Sequence, residues 1–326
     1  MIAEIGSVHD GSYGNARHLI ATAARCGADA VKFQTHIAAA ETLRDAPMPS
    51  FFKGEPRFEY FERTGFSPEQ WQGLRDACTE HGVEFLSSPF SVEAVALLES
   101  VHVDRYKIPS GEVTNTPLLQ VVAQTGKPVI LSSGMSSWDE LDRAVDAIRA
   151  SNDDLAVLQC TSEYPCPYEN VGLNVMTDMA ARYGVSVGLS DHTLSIYAPM
   201  AAVALGASVI EKHLTFSREM YGSDTRHSLE PAEFADMIEG IRAVEVMLAT
   251  KVDKSDTTRY SEMKQVFEKS IVTAVAIPAG TVVTRDMLAV KKPGTGLAPD
   301  RLADVVGRRA ARDIASDELL SDDQLI

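Results

Sequence analysis

Residues 190–216 read SDHTLSIYAPMAAVALGASVIEKHLTF. The stretch carries two histidines, His192 and His213, each closing a short apolar run, VSVGLSDH and ASVIEKH. Residues 194–205, apolar and of helix length, lie between them. The gap fits no local zinc pattern such as H-x3-H or C-x2-C. A strand, a helix and a second strand make a β-α-β unit, whose two strands lie parallel and about 4.8 Å apart. Residues at the C-terminal ends of such strands face one mouth, where two imidazoles can reach one ion through bonds of about 2.1 Å. Either histidine alone reads as a buried rim residue; together, at the ends of consecutive strands, they read as a ligand pair. Two protein nitrogens leave the other positions to water and substrate, which suits a weakly held catalytic ion better than a structural zinc.

The same rhythm runs upstream. Strand-like runs occupy residues 1–6, 29–34, 83–89, 105–110, 128–133, 155–160, 186–191 and 208–213. A helix-like stretch follows each; residues 14–26 show three- and four-residue apolar spacing, and residues 231–250 start with a proline in the first turn. Eight such pairs over about 250 residues predict a (β/α)8 TIM barrel. The competing doubly wound sheet has a G-x-G-x-x-G turn after its first strand, and GSVHDGSYGN does not fit it. Two stretches break the rhythm. Residues 36–66 form an insertion rich in aromatics (Phe51, Phe52, Phe58, Tyr60, Phe61), expected to be a lid or an oligomer contact. Residues 251–268 are polar and read as a linker. Residues 269–326, with short strands and Gly/Pro turns, read as a small α+β domain, marginal alone at that size.

Composition bounds the function. The 326 residues are 45% hydrophobic and carry a net charge of −16. That charge argues against nucleic acid or an anionic membrane as partner, and leaves room for a small anion held by local lysines. No run approaches the ~20 apolar residues of a membrane span, and MIAEIGSVHDGS has no signal-peptide pattern. Four scattered cysteines read as free thiols in a reducing cytoplasm.

Active sites of barrels lie at the C-terminal strand ends. Those ends carry Glu4; Lys32, Gln34 and His36; Ser87 and Ser88; Lys107, Ser110 and Glu112; Ser132, Ser133 and Gly134; Gln159, Thr161, Ser162 and Tyr164; Ser190 and Asp191; and Lys212 beside His213. Two lysines with a set of serines and a candidate metal pair read as a cradle for phosphate or carboxylate.

The motifs AEIGSVHDGS, GADAVKFQTH, YKIPSGE, ILSSGM, CTSEYPCPYENV, GLSDHT, IEKHLT and SLEPAEF, over nearly the whole chain, resemble those of the sialic acid synthase family. KSIVTAVAIPAGTVVTRDML through KKPGTG is similar to that family's C-terminal antifreeze-like (SAF) domain. The resemblance implies metal-dependent condensation of phosphoenolpyruvate with an N-acetylated amino sugar. N-acetylmannosamine would give N-acetylneuraminate; a 2,4-diacetamido-trideoxy hexose would give legionaminic or pseudaminic acid. It implies that His192 and His213 hold Mn2+, with Mg2+ or Co2+ as alternatives. It assigns Lys32, Lys107, Ser110, Ser132, Ser162 and Ser190 to phosphoenolpyruvate, and Glu4, Gln34, Tyr164 and Asp224 to the sugar. Glu112 becomes the base for the attacking water. The resemblance also implies a homodimer in which the small domain caps the partner's barrel. Three departures stand out. Val8-His9 replaces an Asn-His pair, and Lys292 stands where the family has a sugar-contacting Arg, keeping the charge without the planar fork. The chain starts at the first strand, which implies an open barrel floor or a shortened chain. Two other classes compete: a carbohydrate- or surface-binding protein with a degenerate barrel, and a metal-dependent hydrolase, whose H-x-H pair after the first strand is missing here.

Overall fold

Strands buried on both faces read as continuous β-branched runs, because helices cover one face and the barrel interior the other. The structure is a computed structural model and describes residues 1–47 and 54–326. Eight parallel strands close into a barrel in chain order. They are β1 (Ile2–Gly6), β2 (Ala30–Thr35), β3 (Glu84–Pro89), β4 (Arg105–Ile108), β5 (Val129–Ser132), β6 (Leu155–Cys160), β7 (Ser186–Asp191) and β8 (Val209–His213). The outer helices are α1 (Tyr13–Arg25), α2 (Ala38–Glu41), α3 (Arg57–Thr64), α4 (Pro68–Glu80), α5 (Val92–Ser100), α6 (Thr116–Gln124), α7 (Trp138–Arg149), α8 (Leu173–Tyr183), α9 (Tyr197–Ala204) and α10 (Pro231–Ala249). Starts are set by side-chain caps: Ser67 with Gln70 and Ser137 with Glu140 form capping boxes at α4 and α7.

Two boundaries depart from the sequence reading for local reasons. The strand expected over 105–110 ends at Ile108, because Ser110–Glu112 turns into a 3-10 helix. The helix expected over 194–205 starts at Tyr197, because the Thr193 and Ser195 side chains accept from nearby backbone N–H groups and hold a turn first.

Alternation decides what the barrel contains. Ile2, Ala30, Leu86, Ile130 and Leu158 form a buried apolar layer across it, so the floor beneath the lysines is closed rather than open. One step further along the strands the inward positions turn polar. The larger core, between sheet and helices, packs residues such as Phe33, Trp71, Phe85 and Phe234. The insertion after β2 is not a bare loop. α3 buries Phe58, Tyr60 and Thr64, and Arg63 ties it to Glu55 and Asp10. Phe51 and Phe52 lie outside the described residues.

The chain divides into two compact units, Met1–Thr250 and Lys251–Ile326. The second is not led by a bare linker: it contains α11 (Ser261–Phe267), then β9 (Ser270–Thr273) paired antiparallel with β10 (Leu288–Lys291), then α12 (Leu302–Val305). Its own core gathers Ile271, Ile277, Val283, Leu288, Val305, Ile314 and Leu320. No helix among the described residues is long and apolar enough to cross a membrane.

Candidate active site

A cavity of about 500 Å³ lies at the C-terminal ends of the strands. Of the residues expected at the site, Glu4, Lys32, Gln34, Lys107, Ser110, Ser132, Ser162, Tyr164, Ser190, His192, His213 and Asp224 line it. Strand register explains the convergence. Glu4 is level with Lys32 on one side and with His213 on the other, and Cys160, Ser190 and Glu211 are level across β6, β7 and β8. All of these face inward, and their neighbours one residue along face the helices.

The floor of the cavity is a buried charge cluster. Lys32 Nζ is 2.8 Å from Glu4 and 3.6 Å from Glu211, and Lys107 Nζ is 3.4 Å from Glu211. Lys107 donates to Ser132 Oγ at 2.7 Å, Lys32 to Ser88 Oγ at 3.3 Å, and Ser190 to Glu211 at 3.1 Å. Burial works on every one of these groups. It depresses Lys107 despite Glu211. For Lys32 the pull of Glu211 and Glu4 outweighs burial and raises the ammonium. Against burial, Lys107 and Lys32 hold Glu211 down at about 2. Glu4 is raised by burial. Two ammonium and two carboxylate groups thus share one dry space.

Above this cluster the serines surround a gap. A Cβ on Gly134 would lie 2.4 Å from Ser162 Oγ, 2.5 Å from Ser110 Oγ and 2.9 Å from Cys160 Sγ, so only glycine leaves this space open. Opposite it, the rings of His192 and His213 lie 5.5 Å apart. His192 donates from Nδ1 to the Thr161 carbonyl at 2.8 Å, which leaves Nε2 unprotonated when the ring is neutral. His213 Nδ1 is buried with no hydrogen-bond partner among the described residues, and burial depresses this ring to about 3. A buried, neutral imidazole with an orphaned nitrogen beside a second oriented one fits a divalent ion. Among the described residues no cluster of three or more His, Cys, Asp or Glu could hold a metal, and His192 and His213 are the two side chains that would hold an ion in this cavity.

On the sugar side of the expected site, Gln34 donates to Glu4 at 2.7 Å. Asp224 accepts from the Ser7 N–H and hydroxyl, both at 3.2 Å, and is held below the usual carboxylate range despite burial, chiefly by His213. Gly6, at φ +51°, lies among them: a Cβ there would come within 2.4 Å of Asp224. The Tyr164 ring lies 4.2 Å from that of His192.

Two expected residues stand elsewhere. Glu112 is half-buried but off the cavity wall; its carboxylate accepts from Asn115 at 2.7 Å, and burial, with Glu41 adding to it, raises its pKa. Lys292 belongs to the second unit, its Nζ 5.0 Å from the centre of the Phe267 ring. His9, of the departing Val8-His9 pair, is packed on Phe66 and depressed to about 4 by burial; it does not reach the cavity. The sequence reading missed Glu211, although it precedes His213 by two on one strand and must share its face. It also missed the α3 side chains Arg57, Tyr60 and Phe61, which line the mouth. Their aromatic content was visible, but not which face of the insertion turns inward.

The NeuB family profile matches residues 19–253 and that of the SAF domain residues 268–326. The chain is 33% identical to the N,N'-diacetyllegionaminic acid synthase of Legionella pneumophila, over 97% of this chain and 91% of that protein. It is also 33% identical to the N-acetylneuraminate-9-phosphate synthase of Mus musculus, over 100% and 92%. Among solved structures, the N-acetylneuraminic acid synthetase of Leptospira borgpetersenii, crystallised with citrate, superposes with a TM-score of 0.70 at 29% identity, over 81% of this chain and 89% of that one. Lysines, serines and paired histidines around one barrel mouth, with these matches across the whole chain, place the protein in the NeuB family, followed by a SAF domain.

Proposed function

We propose that the protein condenses phosphoenolpyruvate with the open-chain form of an N-acetylated amino sugar, N-acetylmannosamine first, to give a nine-carbon sugar acid. As a member of the NeuB family it is an enzyme of the transferase kind. One observation carries the reading: the lysine–serine cradle and the histidine pair open into the same cavity. Lys32 and Lys107 supply charge to the phosphate and carboxylate, and Ser110, Ser132, Ser162 and Ser190 supply directed donors. Glu4, Gln34, Tyr164 and Asp224 orient the sugar. His192 and His213 would hold a divalent ion such as Mn2+, which would supply Lewis-acid polarisation of a carbonyl oxygen. Carbon 3 of phosphoenolpyruvate bonds to the aldehyde carbon. The aldehyde oxygen takes up a proton, water adds at carbon 2 and gives up one, which Glu112, off the cavity wall, takes through an intervening water, and phosphate leaves by C–O cleavage. A 2,4-diacetamido-trideoxy hexose is the second acceptor to consider, because the chain is as similar to a diacetyllegionaminic acid synthase as to an N-acetylneuraminate-9-phosphate synthase.

The test is phosphate release from phosphoenolpyruvate with Mn2+, run in parallel with each sugar. Release dependent on one sugar supports the condensation and identifies the acceptor. Release without any sugar, or none with either, refutes the proposal.

A further inference from the structure

His36 follows the last residue of β2 and lines the cavity mouth, yet nothing in the condensation scheme uses it. Its ring is stacked between Phe61, with centroids 3.7 Å apart at 15°, and Phe90, at 4.0 Å and 21°. Both ring nitrogens are engaged. Nδ1 lies 2.7 Å from Glu41 Oε1, and Nε2 lies 3.1 Å from Gln34 Oε1. The His36 and Glu41 side chains are 7% and 5% exposed.

The hydrogen-bond inventory sets the direction of the ring. Gln34 turns its NH2 to Glu4, so its carbonyl oxygen faces His36. That oxygen only accepts, so Nε2 carries a hydrogen. One proton lies between Nδ1 and the Glu41 carboxyl, and this bond, with the two phenyl faces, fixes the ring. The other charged or titratable groups facing it are Arg57, 4.9 Å above the Phe61 ring; Glu112, within the electrostatic reach of Glu41 and Arg57; His9; and Glu4 across Gln34. If Nε2 were an acceptor instead, the Gln34 amide would flip and set its oxygen against the Glu4 carboxylate.

We propose that His36 is a positioning residue, held between Phe61 and Phe90 by its bond to Glu41, that locks the Gln34 amide in the orientation it presents to the acceptor sugar. The identity of that ligand rests on the condensation reading; the orientation of His36 and Gln34 does not. The experiment is a long-range proton–nitrogen spectrum of the 15N-labelled full chain at neutral pH, with His36 assigned by its loss in His36→Phe. Nε2, which faces the Gln34 carbonyl oxygen, should be of the protonated type. In steady-state assays His36→Phe, which keeps the stack, should raise the acceptor KM about 10- to 100-fold, the scale of one or two lost charge-assisted bonds, with the phosphoenolpyruvate KM within about twofold. Glu41→Gln, the second variant should His36→Phe not fold, should raise the acceptor KM by less. An unprotonated Nε2 in the wild-type chain overturns the proposal, as does an unchanged acceptor KM or an equal rise in both KM values. If the wild-type chain turns over no sugar, the condensation reading fails, and the nitrogen spectrum still decides the state of His36.

Discussion

Glu211→Gln removes the carboxylate that both barrel lysines share. The separations, 3.4 Å to Lys107 and 3.6 Å to Lys32, correspond to about 5 kcal/mol of gross attraction each at an effective dielectric of ~20. Desolvation offsets much of that, and stranding one member of a buried pair costs about 3–5 kcal/mol net. Lys32 keeps Glu4 at 2.8 Å, so the loss falls on Lys107, which burial already depresses and whose other partner is the Ser132 hydroxyl. For a unit of this size the expected drop in melting temperature is roughly 6–20 °C. A bound anion should give much of it back. Phosphoenolpyruvate brings charge to the stranded ammonium, so the variant should bind it with a lower Kd, and at one fixed concentration well above both Kd values it should be raised by more than the wild type, by RT ln of the ratio of the two Kd values. The pH dependence has a definite sign. Glu211 is depressed to about 2 in the folded chain, so its stabilisation is present above the unfolded value of 4.5 and disappears as pH falls toward 2. The gap between wild type and variant should therefore narrow below pH 4.5. Scanning calorimetry with and without phosphoenolpyruvate reads all of this. A variant melting within about 2 °C of wild type, or one that phosphoenolpyruvate stabilises no more than wild type, would refute the shared-carboxylate argument.

Three further perturbations probe other parts of the site. Gly134→Ala places a methyl group within 2.9 Å of Ser110, Ser162 and Cys160; at about 1–3 kcal/mol of overpacking, the phosphoenolpyruvate KM should rise about 5- to 150-fold, with the acceptor KM little changed in initial-rate assays. Glu112 is raised by burial and by Glu41, so the acid limb of kcat/KM should lie above 4.5, move down in Glu41→Gln and vanish in Glu112→Gln; a limb unchanged in Glu112→Gln would show that this residue is not the base. Lys212, fully buried, pairs with Asp191 and donates to the Thr193 carbonyl behind the two histidines. Lys212→Met should cost about 3–5 kcal/mol in chemical denaturation, and the double variant Lys212→Met/Asp191→Asn should recover part of it, because the stranded charge is gone.

What the sequence made legible follows from which interactions are local. Each strand and helix announced itself by period and caps, so the barrel could be counted, and the rule that sites sit at C-terminal strand ends picked out most of the cavity wall. The local rule failed where the chain left its strand. Glu112 was placed with the strand ends, but β4 stops at Ile108 and the 3-10 turn after it swings Glu112 off the cavity wall. The insertion failed differently: Arg57, Tyr60 and Phe61 reach the mouth while Phe58 of the same helix is buried away from it, a choice made by tertiary packing. Glu211 marks the boundary between the two cases. Its inward direction was readable from His213 alone, but its value was not. Glu211 faces Lys107 only through the barrel interior, and Glu4 meets His213 only because β1 pairs with β8. Closure therefore does more than bring the histidines together. It sets two carboxylates between two lysines, so that the cluster stays neutral until an anionic ligand arrives to compete for the ammonium groups. A cradle built from lysines alone would be more attractive to phosphate and far costlier to bury. The carboxylates are what allow the site to exist before its substrate does.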